Sequence, residues 1–258
     1  MKKIKTISLS TFEEWNATHY LNDYYMDVEA DEKAALKFQS EFFRSTTFRS
    51  PMLEFGTGPT VFRSILASSY ISEINMADFL PSNLDAIREW LNKGKKSHNW
   101  NNLTRYILRC EGNNKPSRED IQVREDNTRK KITKLLIGDA YLKDPLGKQY
   151  RGHYPLVVSG FCADSATKDK KTWSLFMRNI ASLVAPEGYF FTAALKNAKY
   201  YKVGNKYFPS ANIDEDDLYE ILKLDFHPKS INIKVRSVSE HSYQGYDAIL
   251  LAYALKRK

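Results

Sequence analysis

The stretch Met52-Leu-Glu-Phe-Gly-Thr-Gly-Pro-Thr60 restricts the fold of this chain more than any other. Met52 to Phe55 reads as a short apolar strand that runs into a Gly-X-Gly turn. Val61 to Tyr70 then reads as a helix, and Ile71 to Ala77 as a second strand closed by Asp78. A strand, a tight loop, a helix and a second strand are the repeating unit of a parallel sheet. Glycines at a strand end let the backbone approach a ligand that a Cβ would hold off. The helix behind them offers free N–H groups and the positive end of its dipole. An acid after the second strand is placed to take ribose hydroxyls. Pro59 and Thr60 follow Gly58, so there is no third glycine to fit a pyrophosphate against the helix. A nucleoside without a diphosphate suits this loop better.

The alternation continues along the chain. Residues 10–48 have aromatic residues at helical spacing and predict helices before the sheet begins, with Asp31 as a possible cap of the second. They also read as a segment able to fold over the strand ends as a lid. A helix is expected over 82–93, an irregular polar stretch over 94–118 and an exposed charged helix over 118–134. A third strand is expected at 135–137 and a buried one at 156–159. A helix follows at 170–184, then a turn at Pro186-Glu-Gly188. Strand five spans 189–195, a loop carries Tyr200, Tyr201 and Tyr207, and a helix spans 214–224. Two strands, 230–238 and 247–255, have no helix between them and predict an antiparallel hairpin. The expected fold is α/β, with a mostly parallel seven-stranded sheet covered on both faces. One domain is expected over 1–258, as a helical cap (1–48) on a core (49–258).

Composition removes several alternatives. Hydrophobic residues make up 42% of the 258, enough for a sizeable core. No apolar run approaches the roughly 20 residues of a membrane helix, and the basic N-terminus lacks the apolar segment of a secretory signal. Cys110 and Cys162 are too few for a disulfide framework, so a reducing, cytoplasmic setting is expected. The net charge of +8 comes from scattered lysine and arginine clusters with acids between them. No cluster has interleaved aromatics, so a solvated surface is expected rather than a nucleic-acid face. The five histidines form no metal-binding pair, and no metal is expected. There is no Gly-X-Ser-X-Gly elbow and no Walker A loop.

In an open α/β sheet a ligand sits outside the carboxyl ends of the strands. The polar ends here are Glu54 to Thr57, Asp78, Asp139, Ser159 to Asp164, and Ala193 to Asn197. A single acid after a strand can equally be a helix cap, and Asp164 has that second reading.

These residues resemble a known family. Phe55-Gly-Thr-Gly-Pro-Thr60 is similar to the first glycine motif of the nicotinamide, phenylethanolamine and indolethylamine (thioether) N-methyltransferases. Trp15-Asn-Ala-Thr-His-Tyr20-Leu-Asn-Asp-Tyr24-Tyr25 resembles that family's N-terminal cap. Ala77-Asp78-Phe79 with Asn83-Leu84, Gly138-Asp139-Ala140, Ser159-Gly-Phe-Cys-Ala-Asp164 and Ala194-Leu-Lys196 with Tyr200-Tyr201 resemble its later elements, in order. The resemblance implies a Rossmann-like class I methyltransferase that uses S-adenosylmethionine, leaves S-adenosylhomocysteine, and methylates a nitrogen of a small amine or aza-heterocycle. O-, S- or C-methylation on the same scaffold is the alternative, with RNA methylation behind it. Carried over by position, Tyr20, Tyr25, Gly56, Thr57, Gly58, Thr60 and Phe62 line the methionine end of the donor. Asp78 takes the ribose hydroxyls, with Phe79 and Asn83 beside it. Asp139 and Ala140 bracket the adenine, and Ser159 and Gly160 complete the donor site. Tyr24, Asp164, Ala193, Asn197, Tyr201 and Ser210 face the acceptor, and Tyr24 and Asp164 are the candidate catalytic residues. A monomer with a small-molecule acceptor and no membrane partner is implied. The chain departs from the family pattern at Ala193, where the nicotinamide members carry an acid. It also has Phe62 in place of a tyrosine and Gly160 in place of a threonine.

Overall fold

The computed structural model describes residues 8–258. After a one-turn 3-10 helix at Phe12–Glu14 come α1 (Ala17–Tyr24) and α2 (Ala30–Ser45). Next are β1 (Met52–Phe55), α3 (Phe62–Ala67), β2 (Ile74–Asp78), α4 (Pro81–Leu91), α5 (Asn101–Cys110) and α6 (Arg118–Lys131). They lead to β3 (Ile132–Ile137), β4 (Tyr154–Gly160), α7 (Lys170–Ala181) and β5 (Val184–Leu195). The chain closes with β6 (Tyr200–Val203), β7 (Lys206–Pro209), α8 (Glu215–Leu222), β8 (Asn232–Ser237) and β9 (Ala248–Leu255).

Seven strands form one sheet in the order β3-β2-β1-β4-β5-β9-β8. The β1 to β5 pairings are parallel, and β9 runs antiparallel to both β5 and β8. The direction of winding reverses between β1 and β4, where a doubly wound sheet opens a crevice at its carboxyl edge. Successive residues of a strand point to opposite faces, and the two cores follow that period. Phe191, Ala193, Ile249 and Leu251 enter the core that also holds Leu36, Ile65, Leu84 and Leu103. Phe190, Ala194, Leu250 and Ala252 enter the one that holds Phe176 and Leu218. On the first face α2 is fastened by aromatic contact, with Phe42 ring centroids 4.7 Å from Tyr253 and 5.5 Å from Phe191.

The structure corrects several expectations. The stretch 94–118 is not irregular throughout: α5 lies within it and buries Leu103, Thr104, Ile107 and Leu108. Its polar residues occupy the opposite face, which hides a helical period in a count of polarity. The stretch around Tyr200, Tyr201 and Tyr207 is a β-hairpin rather than a loop. Pro186-Glu-Gly188 is a bulge inside β5, where the pairing with β4 steps from Tyr154↔Val184 to Leu156↔Tyr189. Asp31 does not cap α2; Glu29 holds that position, and the Asp31 side chain turns into the interior.

Candidate active site

A cavity of about 220 Å³ opens at the carboxyl edge of β1, β2, β3 and β4. The loop after β1 forms one wall. Gly56 and Gly58 adopt φ of +67° and +59°, a region that costs an L-residue roughly 1–2 kcal/mol. The hydroxyl of Thr57 donates to the Thr60 carbonyl at 3.0 Å, and that of Thr60 donates to the Thr57 carbonyl at 2.8 Å. These reciprocal bonds fix the turn from inside, so Thr60 supports the loop without reaching the cavity.

Asp78, the last residue of β2, is tied into that loop. Its Oδ2 accepts the Gly58 N–H at 2.7 Å, and its Oδ1 accepts from Leu80 N–H and Asn83 Nδ2, each at 2.9 Å. Burial pushes the Asp78 carboxyl above its ordinary value, against the pull of these hydrogen bonds. Asp139 Oδ1 accepts the Tyr141 N–H at 2.8 Å at the far end of the cavity.

The cavity is roofed by the N-terminal segment and the β6–β7 hairpin together. Phe12 and Trp15 pack on Phe208 at 5.6 and 5.3 Å. Tyr24 Oη donates to the Lys202 carbonyl at 2.9 Å, and Trp15 Nε1 donates to Asn83 Oδ1 at 2.9 Å. The Tyr20 and Tyr25 hydroxyls lie 3.1 Å apart. Burial pushes the Tyr20 phenol up to about 12, so these tyrosines present neutral hydroxyls.

Of the candidate residues, Tyr20, Tyr24, Tyr25, Gly56, Thr57, Gly58, Asp78, Phe79, Asn83, Asp139, Ala140, Gly160 and Tyr201 line the cavity. Thr60, Phe62, Ser159, Asp164, Ala193, Asn197 and Ser210 lie outside its lining. Phe62 stacks into the core against Tyr25 and Trp100. Asp164 is the clearest departure, because its Oδ2 accepts the Leu195 N–H at 2.8 Å and the Ser165 hydroxyl at 3.0 Å. That carboxylate is a strut between the β4 loop and the end of β5. Burial pushes it up to about 6 despite those donors.

The structure also brings charged residues to the cavity that the sequence reading did not select: Asp31, Glu32 and Arg63. A cation inside the apolar run Val61–Ala67, and two acids on the inner face of α2, were the available signals. Asp31 lies 3.0 Å from His241 Nε2 and accepts the Tyr246 hydroxyl at 2.8 Å. His241 therefore packs in the interior, where Gln244 Oε1 sits 2.7 Å from its Nδ1. Burial opposes the charge on Asp31, but hydrogen bonds from the side chains of His241, Glu32 and Tyr246 and the charge of His241 hold it down at about 2. His241 is likewise penalised by burial, yet Asp31 and Gln244 raise it above its ordinary value. The depressed acid contributes stability above about pH 4, the range where the unfolded carboxyl is ionised, and loses it as pH falls toward 2. The raised histidine contributes in full below about pH 6.5 and loses that contribution as pH rises through its folded value. His241→Gln is expected to cost about 3 kcal/mol at pH 5.5 and clearly less at pH 8.5, read from urea unfolding at the two pH values. An equal cost at both would show that the pair does not carry charge.

Two further observations place the chain among known proteins. A family model described as the NNMT/PNMT/TEMT family matches residues 4–257. The chain belongs to that family. It is 26% identical over 172 residues to nicotinamide N-methyltransferase from Homo sapiens, covering 67% of this chain and 64% of that protein. It is 24% identical over 210 residues to indolethylamine N-methyltransferase from Mus musculus, covering 79% and 78%. The matched part is thus a little under two thirds of the human relative. Among solved structures, the N-methyltransferase NodS from Bradyrhizobium japonicum WM9 in complex with S-adenosyl-L-homocysteine superposes with a TM-score of 0.53 at 13% identity, over 95% of this chain and 100% of that one. A methyltransferase from Methanosarcina mazei superposes at 0.51 and 12%, over 82% and 93%. These likenesses establish the fold as that of Rossmann-like, S-adenosylmethionine-dependent methyltransferases. No helix among the described residues is long and apolar enough to cross a membrane, and no group of three or more His, Cys, Asp or Glu among them is arranged to hold a metal ion.

Proposed function

We propose that this protein transfers a methyl group from S-adenosylmethionine to a nitrogen of a small amine or aza-heterocycle. The observation that carries the reading is one cavity joining the Gly56–Gly58 loop, Asp78 and Asp139 under a roof of Tyr20, Tyr24, Tyr25 and Tyr201. The residues present fit the donor. Gly56 and Gly58 line the cavity with backbone at positive φ, so no side chain stands between the loop and a ligand there. The Asp78 carboxylate is locked at a strand end that suits a ribose diol. The aromatic roof suits a cation by its ring faces.

When bound, S-adenosylmethionine supplies a methyl group on a sulfonium that is already a good leaving group. The chain then has to orient the partners and exclude water, an effect worth roughly 7–11 kcal/mol of barrier. The Asp78 cluster fixes the nucleoside end, and the tyrosine roof keeps water out. An amine nitrogen must arrive unprotonated, and Tyr24 and Tyr201 offer neutral hydroxyls to hold it. Asp164 contributes by locking the β4 loop to β5 rather than by taking a proton. The same reading makes residues 8–48 a cap on a 49–258 core in one domain, residues 1–7 of the expected cap lying outside the described residues, and the enzyme a cytoplasmic monomer that needs no nucleic acid. Two unpaired cysteines fit a reducing compartment, and burial holds the Cys162 thiol up at about 12.

Calorimetric titration with S-adenosylhomocysteine is expected to show saturable one-to-one binding. Labelled methyl transfer to a panel of amines and aza-heterocycles is expected to give N-methyl products. Transfer only to hydroxyl, thiol or carbon acceptors would replace the nitrogen assignment, and no nucleoside binding at all would end the proposal.

A further inference from the structure

Arg63 is the second residue of α3, one turn beyond the glycine loop, and lines the cavity with its side chain only 5% exposed. Its head group lies between aromatic faces, 4.4 Å from the Phe62 ring centre and 5.5 Å from that of Phe161. Among the described residues no acceptor is hydrogen-bonded to its guanidinium. Its one carboxylate neighbour within 4 Å is Glu54 Oε1, at 3.9 Å, beyond hydrogen-bonding distance. Glu54 is a poor counter-ion: burial pushes it up to about 7, its Oε2 is occupied by the Ser64 hydroxyl at 2.6 Å, and its Oε1 has no hydrogen-bond partner. Of the other acids at the cavity, Asp31 answers to His241 and Tyr246, and Glu32, whose Oε2 is likewise without a hydrogen-bond partner, is held toward its neutral form by burial and by Asp31.

A guanidinium is a permanent cation with five donors, built to take a carboxylate in a two-pronged contact. With no protein acceptor bonded to it, the head group offers its donors to whatever fills the cavity it lines, and a carboxylate satisfies two of them at once. The backbone makes room for the head group as well. A Cβ on Gly160 would fall 2.6 Å from Arg63 Nε and 3.0 Å from its Nη2. The threonine of the family pattern could not stand at Gly160 with Arg63 where it is.

We propose that Arg63 is a carboxylate-binding residue of this cavity, completed by an anionic ligand group that its protein neighbours do not supply. The assignment rests on the proposed function, and two ligands carry the chemistry: the amino-acid end of the methyl donor and an acidic acceptor. The position of Arg63 in the first turn of α3, directly after the glycine loop, favours the donor.

Calorimetry on the wild type, Arg63→Gln, Arg63→Lys and Gly160→Ala tests it with two probes. These are S-adenosylhomocysteine and 5′-methylthioadenosine, which share the nucleoside and thioether but not the amino-acid end. If the donor is held, Arg63→Gln weakens S-adenosylhomocysteine by at least about tenfold and 5′-methylthioadenosine by less than about twofold. Arg63→Lys falls between, and Gly160→Ala, which displaces the guanidinium while keeping the arginine, repeats the selective loss should Arg63→Gln fail to fold. If an acceptor is held instead, both nucleosides bind all variants alike. The S-adenosylhomocysteine complex of the wild type then binds members of a panel of amino acids but not their decarboxylated amines, and Arg63→Gln loses them. Equal losses for both nucleosides, or no carboxylate-dependent loss with any probe, would overturn the assignment. Wild-type protein that takes neither nucleoside would overturn the proposed function and this assignment with it.

Discussion

Asp78→Ala is expected to weaken S-adenosylhomocysteine binding about 100-fold, since hydrogen bonds to a charged group carry about 1.5–3 kcal/mol and the loop is released as well. The side chain is buried at the end of β2 and gathers the Gly58 N–H, the Leu80 N–H and Asn83 Nδ2. It therefore both faces the cavity and fixes the glycine loop against the start of α4. Removing it leaves those donors without an acceptor, and a buried unmet donor costs about 1–3 kcal/mol. Asp78→Asn separates the two roles. It keeps a carbonyl oxygen for Asn83 and Leu80 but sets an amide group against the Gly58 N–H or against a ribose hydroxyl. Binding is measured by calorimetry and fold integrity by thermal unfolding. A folded Asp78→Ala variant with undiminished affinity would show that the nucleoside does not lie at this strand end.

The second large effect is on stability. Gly56→Ala is expected to destabilise the protein by about 2–4 kcal/mol, from a positive-φ penalty plus overpacking. Gly56 sits at φ +67°, and a Cβ there would fall 2.0 Å from Cys162 Sγ and 2.5 Å from Cys162 Cβ. The loop after β1 and the loop after β4 therefore touch through one missing methyl group. For a chain of this size the loss corresponds to a midpoint shift of roughly 2–4 °C per kcal/mol. Cys162→Gly in the same chain removes the clash and leaves the backbone strain. The double variant should recover more than half of the steric part, read as a coupling between the two sites. Purely additive losses would place the whole cost in the backbone conformation.

How far the sequence led differs between parts of the molecule. The β1 strand, the glycine loop and Asp78 could be located because they are contiguous, and each has a local signal: an apolar run, two glycines, an acid at a strand end. The closing antiparallel pair was legible from the absence of a helix between two alternating runs. By contrast, α5 escaped because its buried Leu103, Ile107 and Leu108 are diluted by asparagines and arginines. The β6–β7 hairpin had a local signal that the three tyrosines drew attention away from: Val203 pairs with Lys206 across a two-residue Gly204-Asn205 turn, and such a turn fixes the register of a hairpin.

The family pattern led to Asp164 as an acceptor-facing acid. Nothing in the one-dimensional order of residues shows that the Leu195 N–H of β5 already occupies it. Arg63 and Glu32 were hidden for the complementary reason. Each sits in an ordinary helical run, and only the meeting of α2 and α3 above β1 turns them toward a common cavity. Sequence alone determined the α/β alternation, the strand ends that carry polar groups and the glycine loop that follows the first strand, because those depend on neighbours within a few residues. Tertiary structure decided which charges face the cavity and which are spent on the backbone, because burial and hydrogen bonding depend on segments up to 215 residues apart, as Tyr246 and Asp31 are.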